Sequence, residues 1–165
     1  GSSVAVDGIC LTIKEILSPG ELLFEVMPET LRKTSLSYKK AEDTVNIEYS
    51  LRMGDEIGGH HVFGHIDGIG TVTKIHDEGE ARIITFTPQA NLMDFLTYQG
   101  SIAINGVSLT VASIQDTSFT VSLIEHTQKV TNLGNLIIGD TVNVECDMII
   151  KYVHRYLQDI SLNKN

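Results

Sequence analysis

The residues best equipped for chemistry occur in two copies of one short motif. Ser-Val-Ala-Val-Asp-Gly-Ile-Cys-Leu-Thr-Ile at 3–13 matches Ser-Ile-Ala-Ile-Asn-Gly-Val-Ser-Leu-Thr-Val at 101–111, an offset of 98. Cys10 stands where Ser108 stands, and Thr12 where Thr110 stands. A thiolate is the better nucleophile and a hydroxyl the better hydrogen-bonding partner, so the exchange of Cys10 for Ser108 marks a functional divergence between the copies. Taken alone, a cysteine on an apolar strand is a small buried hydrophobe.

Further matches follow in the same order at an offset of 97: Glu29-Thr30 with His126-Thr127, Thr34 with Thr131, and Asp-Thr-Val-Asn-Ile-Glu at 43–48 with Asp-Thr-Val-Asn-Val-Glu at 140–145. Between the copies runs Gly58-Gly59-His60-His61-Val62-Phe63-Gly64-His65, with Asp67 just beyond. This cluster invites a metal reading. His60 and His65 are an odd number of residues apart, however, and would point to opposite faces of a regular strand, so no metal is expected. Gly68-Ile69-Gly70 lacks the third glycine and the following helix of a dinucleotide fingerprint. Cys146 has no repeat partner of interest and reads as structural, while His76 and His154 read as solvated surface.

A period near 97 is too long for a solenoid and suits a small duplicated domain. Nothing before Gly1 answers the segment from about Gly64 to Gln99, so roughly 35 residues of the first unit are expected to be missing from this chain. Within each unit the pattern is β. Asp7-Gly8 and Asn105-Gly106 supply the positive φ angles of a type I′ turn and join pairs of short strands into hairpins. Ser18-Pro19-Gly20 and Asp77-Glu78-Gly79 separate further β-rich runs at Leu22–Val26, Thr71–Ile75 and Arg82–Thr87. Short strands at this spacing point to a closed barrel. Gln89–Leu96, Glu29–Thr34 and His126–Thr131 are long enough for only one or two helical turns. Near the end, Ile149, Ile150, Val153, Tyr156, Leu157 and Ile160 fall at helical spacing, with Asp147 placed to cap the first turn. Such a helix packs either on its own barrel or on a copy of itself.

Composition excludes other classes. The chain has 165 residues, 42% apolar and 20% charged, with 14 Gly and only 3 Pro, which is globular usage. A net charge of −9 leaves no basic surface strong enough to hold a phosphate backbone. No apolar run approaches the roughly 18 residues of a membrane span, and the chain opens without a basic stretch leading into an apolar one. Two cysteines cannot make a disulfide framework. A cytoplasmic protein without nucleic-acid or membrane partners is expected.

The paired Asp/Asn-Gly-x-Cys/Ser-Leu-Thr motifs, the Gly58–His65 junction, Glu29-Thr30 through Thr34, and Val142-Asn143-Val144-Glu145-Cys146-Asp147 followed by Lys151-Tyr152-Val153 resemble riboflavin synthases of the α-chain type. The match runs from Gly1 to about Leu157. The resemblance implies an all-β fold of two similar six-stranded Greek-key barrels, the first N-terminally truncated, plus a C-terminal α-helix. It divides the chain into residues 1–58, a first lumazine-binding barrel; 59–147, a second; and 148–165, an oligomerisation helix and tail. It further implies a homotrimer, leaves room for association with lumazine synthase, and calls for no cofactor. The implied substrate is 6,7-dimethyl-8-ribityllumazine. One molecule donates a four-carbon unit to a second, giving riboflavin and 5-amino-6-ribitylamino-uracil. A duplicated fold suits this chemistry, because two near-identical pockets can present donor and acceptor together and remove the entropic cost of encounter.

By the same resemblance Ser3, Cys10 and Thr12 lie at the first pocket, and His65, Ser108, Thr110 and Asp147 at the second. Glu29, Thr30, His60, Gly64, Gln99, Ile124, His126 and Thr127 complete the substrate-holding set. Backbone groups near Thr30 and Thr127 would hold the pteridine edge. A neutral imidazole is suited to take the acidified proton of the lumazine 7-methyl, with His65 the candidate and Thr110 orienting it. Cys10, Ser3, or a water held by Ser108 and Asp147 are the choices for adding to ring carbon C7 of the acceptor. Asp147 also reads as a plain helix cap. Gln99 stands where the family usually has lysine, so it can hydrogen-bond there but brings no charge. The alternative is a non-catalytic lumazine- or flavin-binding protein of the antenna type on the same fold.

Overall fold

The computed structural model describes residues 1–162. Its strands are β1 (Ser3–Val6), β2 (Ile9–Ser18), β3 (Glu21–Phe24), β4 (Ile47–Tyr49), β5 (Gly68–Glu78), β6 (Ala81–Pro88), β7 (Ser101–Ile104), β8 (Val107–Ile114), β9 (Phe119–Leu123) and β10 (Thr141–Cys146). Two short helices, α1 (Pro28–Lys33) and α2 (Glu125–Val130), and a terminal one, α3 (Met148–Leu162), complete the fold. Residues 163–165 of the expected tail lie outside the described residues.

The repeat is visible strand by strand. β1 to β4 form a four-stranded sheet in the order β3-β2-β1-β4, and their partners β7 to β10 take the same places in a closed barrel ordered β10-β5-β6-β9-β8-β7. In the barrel the long β5–β6 hairpin bridges β9 and β10. Among the described residues no hairpin joins β3 to β4, so the first sheet is open and those two strands are its edges. The expected six-stranded closure therefore appears in the second unit, and the first shows the four strands that its share of the repeat encodes.

Both Asx-Gly hairpins turn as their composition requires, with φ of 45° and 76° at Asp7 and Gly8 and of 46° and 82° at Asn105 and Gly106. The helical pieces repeat equally closely. Each threonine after the short helix donates its hydroxyl to the carbonyl four residues back, Thr34 to Thr30 and Thr131 to Thr127, both at 2.7 Å. Each then accepts from the amide two residues on and starts a 3-10 turn. The main core fills the barrel, where Phe86 and Phe119 stack at 5.5 Å among Ile84, Val121, Val142 and Val144, all 0% exposed. The first unit has a smaller core of Val4, Val6, Ile9 and Leu11.

Backbone polar groups join the units along a pseudo-twofold seam. Asn46 and Asn143, equivalent in the repeat, reach across in opposite directions. The Asn143 side chain accepts from Ser35 N–H at 2.6 Å and donates to the Asp7 carbonyl at 2.9 Å; the Asn46 side chain accepts from Asn132 N–H at 2.8 Å and donates to the Asn105 carbonyl at 3.0 Å. Gly8 and Gly106 meet backbone to backbone at its centre, and a Cβ on Gly8 would stand 2.5 Å from the Gly106 nitrogen. The symmetry breaks at two places: buried Asp7 pairs with Lys39 at 2.8 Å where Asn105 and buried Leu136 hold the corresponding positions in the second unit, and the Asn132 side chain donates to Asp7 Oδ1 at 2.8 Å where its repeat partner is the shorter Ser35.

Asp147 caps α3, accepting from Ile149 N–H at 2.9 Å. Asp67, just before β5, accepts from Cys146 N–H at 2.8 Å and from the Lys151 ammonium through both oxygens at 2.9 Å, tying the first turns of α3 to the barrel. His154 is not solvated surface as its sequence context suggested, since its ring meets the edge of Phe95 at 4.8 Å. Ile149, Tyr152, Val153, Tyr156 and Leu157 form an exposed stripe on α3. The apolar helical positions therefore serve two surfaces, one against the barrel and one facing outward. Among the described residues no helix is long and apolar enough to cross a membrane.

Candidate functional site

Cross-strand pairing arranges the motif residues in two equivalent rows. Cys10 pairs with Ala5, which pairs with Glu48, across β2, β1 and β4. Ser108 pairs with Ala103, which pairs with Glu145, across β8, β7 and β10. Laterally paired residues share one face of a sheet, and the alternation that buries Ile9 and Leu11 turns Cys10 and Thr12 outward. Ser3 pairs with Thr12 and Ser101 with Thr110, which places a second polar pair beside each row.

Residues 59–65 form a strap that touches both rows. Gly59, at φ 92°, packs so closely on Ser108 that a methyl group there would collide with the hydroxyl. Gly64, at φ 75°, packs likewise on Cys10, and its carbonyl accepts from Cys10 N–H at 2.9 Å. Both positions need glycine for the left-handed backbone and for the close approach. Glu145, 2% exposed, accepts from Phe63 N–H at 2.8 Å and Gly64 N–H at 2.9 Å. His61, Phe63 and His65 stack in series on the outside of the strap, with centroid separations of 6.4 and 6.2 Å.

On the second unit a cavity of about 440 Å³ is lined by Gly59, Ser101, Ser108, Leu109, Thr110, Ser122, Ile124 and Thr127. Its size and its ring of hydroxyls on an apolar frame suit a small polar heterocycle. His60 borders this cavity through Ser108: Nδ1 lies 2.7 Å from the Ser108 hydroxyl, which also accepts from His60 N–H at 3.3 Å. Burial holds the imidazole below the ordinary histidine value, opposed by the nearby carboxylates of Asp147 and Glu145 and aided by His61. The ring is therefore neutral at physiological pH and able to exchange a proton with the hydroxyl.

A larger cleft of about 820 Å³ lies along the seam, with Ser3, Cys10, Glu48, His60, Phe63 and Gly64 in its wall. Cys10 is exposed, as a reacting thiol must be. Thus Ser108, Thr110, Ile124 and Thr127 come together in one cavity, and Ser3, Cys10 and Gly64 in the other. His65 is exposed beyond Gly64, on the Cys10 side of the strap, and no hydrogen bond joins it to Thr110 among the described residues. His60 is the imidazole at Ser108. Glu29 on α1 is bound to Arg32 and Lys33, whose cations hold its carboxyl below the usual range. Thr30 gives its carbonyl to Thr34, and His126 is exposed on α2. Thr12 and Gln99 are outside the linings of both cavities, and Gln99 adopts a left-handed φ of 59° at the turn before β7.

Glu48, Gly59, Phe63, Ser101, Leu109, Ser122 and Glu145 are at the site and were not among the sequence candidates. Ser101 is the repeat partner of Ser3, and Glu145 ends a repeated hexapeptide, so the duplication itself carried the signal for both. Ser122 is two residues before Ile124 on a strand that alternates sides. The strap is not a regular strand, yet His60 and His65 do face opposite ways, His60 half-buried against Ser108 and His65 exposed. Among the described residues no three of His, Cys, Asp and Glu converge as metal ligands.

A model of the lumazine-binding domain family matches residues 1–50 and 63–147, leaving out residues 51–62, which lead into the strap and include its first four residues. The riboflavin synthase of Bacillus subtilis is 38% identical over 164 residues, covering 99% of this chain and 76% of that protein. The riboflavin synthase of Chlamydia trachomatis is 45% identical over 152 residues, covering 92% and 73%. Among solved structures, LumP complexed with 6,7-dimethyl-8-(1'-D-ribityl) lumazine superposes with a TM-score of 0.79 at 28% identity, over 88% of this chain and 77% of that one. With two repeat-related rows, each walled by one strap, and similarity to these enzymes along nearly all of its own length, the chain belongs to the riboflavin synthase family of duplicated lumazine-binding domains.

Proposed function

We propose that the chain converts two molecules of 6,7-dimethyl-8-ribityllumazine into riboflavin and 5-amino-6-ribitylamino-uracil. The observation that carries this reading is the pair of equivalent rows, Cys10–Ala5–Glu48 and Ser108–Ala103–Glu145, offering one thiol and one hydroxyl for two copies of the same ligand. Four carbons pass from donor to acceptor, and the four protons lost as the new aromatic ring forms go to the donor's nitrogens, so the donor leaves as the diamine and atoms balance without an external oxidant or reductant. In the second cavity the neutral His60 ring accepts the Ser108 proton, raising the hydroxyl's ability to add to the electrophilic C7 of a bound lumazine. In the first, Cys10 faces the ligand as the alternative nucleophile, and His65 lies on its side of the strap. The exposed α3 stripe supports a homotrimer in which these helices pack together.

The test is to incubate the protein with the lumazine alone and follow riboflavin by its absorbance, with Cys10→Ser and His60→Gln variants beside it. Turnover that falls at least tenfold in His60→Gln supports the assignment. Binding of lumazine without turnover in the unaltered protein would leave the carrier reading, which the similarity to LumP favours.

A further inference from the structure

Glu145 binds the segment of chain that walls both pockets. The side chain of its repeat partner Glu48 is exposed and forms no hydrogen bond among the described residues, whereas Glu145 is 2% exposed and faces two backbone donors. Burial of a carboxylate is costly unless donors replace its water, and among the described residues no cation pairs with this one. The two donors are the successive N–H groups of Phe63 and Gly64, one to each carboxylate oxygen. Four residues earlier the same strap carries His60, bonded to Ser108; at Gly64 it lies against Cys10.

We propose that Glu145 is a positioning residue, whose buried carboxylate latches the strap and thereby fixes His60 against Ser108 and Gly64 against Cys10 together. The proposal rests on the two-pocket lumazine reading for its ligand, but the latch itself is a property of the protein alone. It predicts that loosening one point on the strap disturbs both pockets. A glutamate with only a packing role would affect stability and leave the pockets alike.

The experiment uses Glu145→Gln in the full chain. The amide keeps one acceptor but turns a donor toward the other strap N–H, so one hydrogen bond to a charged group is lost. Exchange at the Phe63 and Gly64 amides should quicken about 10- to 100-fold, while Ile84 in the barrel core stays protected. The His60 pKa, followed by ring NMR, should rise toward the ordinary value as the ring is resolvated. Loss of the Glu145 charge alone would push it down instead, with Asp147 and His61 unchanged around it, so the direction separates the two effects. Lumazine affinity should fall about tenfold or more, with kcat falling beyond what KM explains. Gly64→Ala loosens the strap from outside the barrel, because a Cβ there meets Cys10 at 2.7 Å, and it should raise the His60 pKa as well. Slow exchange at Phe63 and Gly64 in Glu145→Gln, or a His60 pKa indifferent to Gly64→Ala, overturns the latch. A protein that binds no lumazine in its unaltered form but passes the exchange and titration tests would refute the functional reading and keep the latch.

Discussion

Asn143 and Asn46 make two matching hydrogen bonds in opposite directions, and Asn46 adds a third to Asn132 Oδ1 at 3.0 Å, yet the buried Asn143 should be the costlier to remove. Asn143 is 0% exposed, and Asn143→Ala would strand Ser35 N–H and the Asp7 carbonyl in the interior of the seam. Each buried group left unpaired costs about 1–3 kcal/mol, so the loss should be about 2–6 kcal/mol. At about 2–4 °C per kcal/mol for a chain of this size, Tm should fall by roughly 4–24 °C. Asn46 is only half-buried, and water can replace much of what Asn46→Ala removes, limiting its cost to about 0.5–2 kcal/mol. Urea unfolding followed by tryptophan-independent probes, far-ultraviolet dichroism and the tyrosine signal, measures both variants. Asn143→Ala should also split the transition, because the first unit has the smaller core and depends on the seam. Equal losses for the two variants, or a single unshifted transition in Asn143→Ala, would refute the account of the seam as a cooperative buried network.

Two further tests address the cysteines and the terminal helix. Cys10 is exposed, while burial pushes the Cys146 thiol up to about 12, with Asp67 adding to the rise and Lys151 opposing it. Iodoacetamide at pH 8 should alkylate one thiol in the native protein and two in urea, as read by mass spectrometry, and modification of Cys146 in the native state would contradict its burial. Lys151→Met leaves Asp67 with only the Cys146 amide and should destabilise the chain by about 1–3 kcal/mol. Limited proteolysis should then cut within α3 sooner than in the unaltered protein, and an unchanged digestion rate would count against the Asp67 tie.

Much of the fold was legible because the duplication doubled every local signal. Asp7-Gly8 and Asn105-Gly106 each mark a hairpin, and Thr34 and Thr131 each mark the end of a short helix. The rows of the site were legible in part: Cys10 and Ser108 stood out because their neighbours are conserved between the copies while they differ. What periodicity cannot report is the path of an irregular segment. The strap alternates in exposure, but its sequence has no apolar-polar alternation, so nothing local says which of His60 and His65 turns inward to Ser108 and which outward. Glu145 was hidden for another reason. Its role comes from two backbone amides some 80 residues away in the chain, at separations of 82 and 81. The outward face of α3 was visible as apolar spacing, but the division between its two surfaces depends on where Asp67 and Phe95 anchor it.

The glycine pair at the seam has a consequence for how this scaffold can change. With Gly8 and Gly106 backbone to backbone, neither position can grow a side chain without parting the halves. The gauge between the Cys10 and Ser108 rows is thus set by main-chain atoms, which mutation cannot trim. Adaptation to a bulkier or smaller heterocycle must come from the row residues and the cavity rims, where Ile124 and Ser122 are free to vary. An engineer seeking new ligands can diversify each pocket separately and expect the spacing between them to survive.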